Sequence, residues 1–102
     1  MFVVLWEFEV KPGCEIEFRS AYGPAGPWVQ LFRRDSSYLE TRLLLDPFRA
    51  QFYVTLDFWT SRNAYQSFQA LHQSEYRQID AICETHTLTE RKLGEFDTLS
   101  GP

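Results

Sequence analysis

His72 and Tyr76 stand four residues apart in a stretch whose apolar residues recur at helical spacing, so on a helix the imidazole and the phenol share one face. An imidazole titrates near neutral pH and suits the work of a general base. The phenol one turn on is placed to hydrogen-bond to it or to a bound carbonyl. Rings dominate the rest of the sequence: aromatic residues make up 17% of the 102 positions, and so many must line something as well as fill it. Trp6, Trp28, Phe32, Trp59, Tyr65 and Phe68 are the set that could wall a flat aromatic ligand. Each also has an ordinary structural role. His72 fits equally as a satisfied core or rim histidine, and any one of the rings as core filling.

Other chemistries find little support. His72 and Glu75 share a helix face only loosely, His86 lies past its end, and no tight His/Cys/Asp cluster is spaced for a metal, so we expect none. There is no glycine-rich phosphate loop, no G-x-S-x-G elbow, and no Cys and His that sequence alone brings together. Cys14 and Cys83 fall on apolar sides of expected helices, far from CxxC spacing, and read as reduced core thiols.

The elements that would position these residues follow from hydrophobic period. From Gln51 to Trp59, Phe52, Val54, Leu56 and Phe58 alternate with Tyr53, Thr55, Asp57 and Trp59, the pattern of a strand with one wholly apolar face. Thr60 and Ser61 offer hydroxyls for a helix cap. Tyr65, Phe68, Leu71, His72, Tyr76, Ile79 and Cys83 then mark one long helix beginning near Ala64, lying on the sheet by its aromatic side. Upstream, Phe2 to Val10 alternates as a strand broken by Lys11-Pro12-Gly13. Cys14, Phe18, Ala21 and Tyr22 mark a short helix, and Pro27 suits the first position of another that carries Trp28, Leu31 and Phe32. Tyr38 to Asp46 is a strand joined to the Phe52 strand by a turn at Asp46-Pro47. Leu88 to Asp97, interrupted by Gly94, is the last strand, and 98–102 a loose tail.

That order predicts a single α+β domain over residues 1–97, a ferredoxin-like β-α-(α)-β-β-α-β chain with an antiparallel sheet and helices on one face. We expect the other face to hold Val3, Leu5, Tyr53, Thr55 and Trp59 with Glu7, Glu9 and Asp57, too apolar for open water. It would be covered by a second copy in a homodimer that closes a barrel across the interface. The formal charge of -4, with scattered basic residues, argues against nucleic acid as a partner. No basic leader or long apolar run is present, so the expectation is a cytoplasmic protein with no membrane association.

Three segments together, LWEFEVKPG, then Asp57-Phe58-Trp59-Thr60-Ser61 followed by Ala64, Tyr65 and Phe68, then the closing strand, resemble the antibiotic biosynthesis monooxygenase superfamily of dimeric α+β barrels from Phe2 to Asp97. The resemblance implies a homodimer with a pocket between helices and sheet, and a cofactor-independent monooxygenase acting on a small aromatic or quinol-type substrate. Such chemistry needs a dry pocket and a base, because a substrate deprotonated to an electron-rich anion can itself reduce oxygen. Within that frame His72 and Tyr76 are the candidate catalytic pair. Two alternatives stay open: a haem-binding or haem-degrading protein, and a ligand-binding module without catalysis. The haem branch carries an Asn on the first strand and a Trp and a His on the long helix, where this chain has Trp6 or Glu7, Phe68 and roughly Gln78.

Overall fold

A computed structural model describes residues 1–99 and shows a four-stranded antiparallel sheet with all its helices on one face. The chain runs β1 (Phe2–Val10), α1 (Glu15–Tyr22), α2 (Pro27–Phe32), β2 (Tyr38–Leu45), β3 (Phe52–Trp59), α3 (Arg62–Leu71), α4 (Gln73–Cys83), a 3-10 turn (Glu84–His86) and β4 (Thr87–Asp97). The strands lie in the order β2-β3-β1-β4. This is the ferredoxin-like α+β arrangement that the order of periods predicts. Of the expected tail, Thr98 is tied back through its N–H to the Met1 carbonyl at 2.8 Å, and residues 100–102 lie outside the described ones.

Local signals account for the element ends. Ser61 caps α3 through its hydroxyl, which accepts the Ala64 N–H at 3.1 Å. Pro27 opens α2. In the β2–β3 turn the Asp46 carboxylate accepts the N–H groups of Phe48 and Arg49, at 2.8 and 3.2 Å. This is the short-range bonding that makes Asp a turn residue.

Two expectations are corrected. The long helix is two helices joined at His72, which sits at φ -111°, ψ 28° and caps both. No proline or glycine marks the joint, and the apolar stripe continues through it in step, so periodicity reads straight across.

The second correction concerns the faces of β3. Its register against β1 sets Trp59 opposite Phe2, Asp57 opposite Val4, Thr55 opposite Trp6 and Tyr53 opposite Phe8. Directly paired residues point the same way, so Tyr53, Thr55, Asp57 and Trp59 lie under the helices. The all-apolar set Phe52, Val54, Leu56 and Phe58 lies on the outer face with Val3, Leu5, Glu7 and Glu9. Tyr53 and Trp59, at 2% and 0% exposure, are core residues, and the apolarity of the alternate residues does not distinguish a helix-covered face from an outer one.

The core is ring against ring. Phe8, Phe18 and Tyr22 meet with centroids 4.5 to 5.2 Å apart, which binds α1 to the centre of β1. Phe32 of α2 meets Trp59 and Phe68 edge-on at 5.4 and 5.5 Å. Cys83 is buried and Cys14 half-buried, both free thiols. No helix among the described residues is long and apolar enough to cross a membrane.

Candidate active site

On β3 the helix-facing residues run Tyr53, Thr55, Asp57, Trp59, with two small polar side chains between two large rings. The sheet is therefore filled at both ends of this strand and hollow in the middle. Around the hollow stand Trp6 and Phe8 of β1, Tyr22 of α1, Trp28 and Phe32 of α2, Thr41 of β2, Tyr76 of α4 and Glu90 of β4, with Thr55 and Asp57 as its floor. Every helix but α3 contributes a wall.

The walls leave about 360 Å³ unfilled, partly open to solvent, but only about 20 Å³ of it can take the centre of a water-sized sphere. That is room for one water. The rings already occupy most of the space, and a flat ligand enters only when a ring moves aside.

Asp57 is the chemically distinctive group. Its Oδ1 accepts the Thr41 hydroxyl at 2.7 Å, and the Thr41 oxygen accepts the Tyr38 hydroxyl at 2.7 Å. Burial among the rings pushes its carboxyl up to about 6, and the Thr41 hydrogen bond pulls the other way. None of the lining residues is a Lys, Arg or His, so the carboxylate has no counter-ion in the cavity. It is ionised at neutral pH and basic enough to take a proton. Burial also raises the Tyr22 and Tyr76 phenols, which stay protonated and available as donors. At the rim Glu90 is raised to about 7, first by burial of its inner side and then by the charges of Asp80 and Glu84. It faces an open cleft shared with those two residues and Trp6.

The structure divides the residues singled out in the sequence. Tyr76, Trp6, Trp28 and Phe32 line the cavity, with Tyr76 edge-on to Trp28 at 4.8 Å. Trp59, Tyr65 and Phe68 pack behind it as core, where Trp59 meets Tyr65 at 5.4 Å and Phe68 at 4.9 Å. His72 lies outside the lining. Its ring rests on Phe68 at 4.9 Å, and its Nδ1 is 3.3 Å from the Glu75 carboxylate, which also binds Arg34 at 2.6 Å. Sequence reasoning missed Asp57, Thr41, Thr55 and Glu90. The available signal was the alternation of ring, small polar, small polar, ring on β3, which marks a hollow between two fillers.

Among the described residues no group of three His, Cys, Asp or Glu side chains could hold a metal ion. A haem does not fit the residues present. Phe68 is fully buried core, and Gln78 lies on a separate surface cleft with Pro27, Gln30 and Glu75.

Neither a protein-family model nor a curated protein matches the sequence. Solved structures do. SnoaB, a cofactor-independent oxygenase from Streptomyces nogalater, superposes with a TM-score of 0.77 over 98% of this chain and 94% of its own, at 20% identity. A Nitrosomonas europaea protein provisionally described as an antibiotic biosynthesis monooxygenase gives 0.74 over 98% of this chain and 100% of its own, at 13% identity. One from Deinococcus radiodurans, described in the same provisional way, gives 0.74 over 100% and 96%, also at 13%. At such identities the likeness speaks for the backbone: over nearly its whole length this chain has the fold of the antibiotic biosynthesis monooxygenase family.

Proposed function

We propose that this protein is a cofactor-independent monooxygenase acting on a small aromatic or quinol-type substrate, with Asp57 as the base and Tyr76 as a hydrogen-bond donor to the developing anion. The observation that carries the reading is a ring-walled cavity with the Asp57 carboxylate on its floor and no cation in its lining. The shared fold with a named cofactor-independent oxygenase supports it. In this mechanism Asp57 takes the proton of an activated C–H or phenolic O–H. The electron-rich anion then reduces oxygen. For an anthrone-type CH₂ the carbon loses two hydrogens and gains one oxygen atom, while the other oxygen leaves as water. His72 lies outside the cavity and has no step in it.

Oxygen consumption with an anthrone or a quinol, in wild type and Asp57→Asn, tests this. The wild type consumes oxygen above the protein-free rate, and the variant loses about a hundredfold or more. Equal rates in both remove Asp57 from the mechanism.

A second reading, a ligand-binding module without turnover, is favoured by the small free volume of the cavity. It predicts ligand-dependent quenching of tryptophan fluorescence with no oxygen uptake. We further propose that the molecule is a homodimer joined through the outer face of the sheet, and that it works in the cytoplasm, where its two free thiols stay reduced.

A further inference from the structure

A base in a ring-lined cavity whose mouth a bound ligand fills must shed its proton before it can act again. The Asp57 carboxyl has one hydrogen-bond partner among the described residues, the Thr41 hydroxyl, and Thr41 has one beyond it, the Tyr38 hydroxyl. Thr41 lies on the wall of the cavity, and it also lines, with Tyr38, a second cleft on the far side. That cleft is wide, with about 460 Å³ open to the centres of water-sized spheres, and Arg19 and Arg33 stand in its walls. The two spaces are therefore joined by three hydrogen-bonding groups in line, at 2.7 Å and 2.7 Å.

We propose that Thr41 and Tyr38 form a proton wire that carries the proton taken up by Asp57 out to the arginine-bearing cleft, so that the cavity need not open to release it. The inference rests on the reading of Asp57 as the base. Protonated Asp57 donates to the Thr41 oxygen, the Thr41 proton passes to the Tyr38 oxygen, and the Tyr38 proton passes to water in the cleft. Both hydroxyls first turn outward from the resting order, in which Tyr38 donates to Thr41 and Thr41 to Asp57; one O–H bond then forms and one breaks at each, and the transfer itself restores the resting order. The net change is one proton moved from ligand to solvent, with no electrons transferred. Both relay groups remain neutral between events. Burial raises the Tyr38 phenol, with the Thr41 hydrogen bond and the Arg33 charge opposing that shift. Arg33, at the outlet, disfavours a proton lingering there and speeds its loss to bulk water.

The test separates proton uptake from proton release. Under anaerobic conditions 1,8-dihydroxyanthrone is mixed with the protein in weak buffer; its coloured anion reports uptake and a pH-indicator dye reports release. In the wild type the two signals rise together. In Thr41→Val and Tyr38→Phe the dye lags the anion by about tenfold or more, measured within each variant against its own rate of uptake, and Thr41→Ser, which keeps the hydroxyl, shows no lag. Coincident signals in Thr41→Val overturn the wire and leave Asp57 as the base. If no anion forms in the wild type, the proposed function fails and the wire with it, and that control tells the two failures apart.

Discussion

Asp57 behaves as it does because of what is absent around it. A carboxylate with an ordinary value near 3.8 rises to about 6 once rings replace water and no cation replaces the lost hydration. As a base it must be ionised, so kcat climbs with pH through about 6 and then levels, and Asp57→Asn removes that limb along with most of the rate. Stability runs in the opposite direction. A carboxyl raised on folding contributes stability below its unfolded value that is lost as pH rises through its folded value. Wild type should therefore lose on the order of 1–3 kcal/mol between pH 4 and pH 6 that Asp57→Asn retains, as read by denaturant unfolding at each pH. His72 gives the contrasting case. Its ring packs on Phe68 beyond the cavity wall, so His72→Ala keeps turnover within about threefold of wild type. A loss comparable to that of Asp57→Asn would return the imidazole to the chemistry.

Among the elements, the hollow depends on α1 and α2 being held against the middle of the sheet. The link between them is tight at Gly26, where a Cβ would run into the Ala21 and Ser20 carbonyl oxygens. Its φ of -79° is open to any residue, so the need is for space alone. Gly26→Ala should cost about 3 kcal/mol through overpacking. Ser61→Ala removes the α3 cap and should cost about 1 kcal/mol, lowering Tm by roughly 4–8 °C. Thermal and denaturant unfolding check both. The caps, the Asp46 turn and the order of elements were legible in the sequence because each depends on residues within a few positions. The side to which β3 turns was not. Alternation shows that two faces differ, whereas register against a strand some fifty residues away decides which one meets the helices. Alternation alone sets Asp57 on the outer face and points to the helix for the site, whereas the pairing with β1 places Asp57 under the helices. The joint at His72 escaped similarly, since the apolar stripe keeps its spacing across it.

For assembly, the outer face of the sheet is the surface that a second copy would cover. Leu44 and Phe96 are 47% and 51% exposed there, beside the half-buried Phe52, Val54, Leu56 and Phe58. Charge sits at one end of it, where Glu7 binds Arg49 and Arg91 at 2.9 and 3.2 Å, which holds the Glu7 carboxyl below its usual range. An apolar field of this kind with a charged border suits a second copy of itself. Light scattering should give twice the chain mass, and Leu56→Lys should return it to the monomer; a wild-type monomer at working concentration contradicts the dimer. The cavity lies on the opposite, helix-covered side of the sheet, so ligand binding and assembly are separable.

The ring-walled hollow over Asp57 is expected to accept a flat aromatic molecule. A crystal structure with 1,8-dihydroxyanthraquinone, a planar oxidised ring system that cannot turn over, tests it most directly. The ring is expected in the hollow, with Trp6, Trp28 or Tyr76 displaced and a ligand oxygen within hydrogen-bond distance of the Asp57 carboxyl. A hollow still closed by its own side chains, with the ligand absent or held only in the surface clefts, would contradict it.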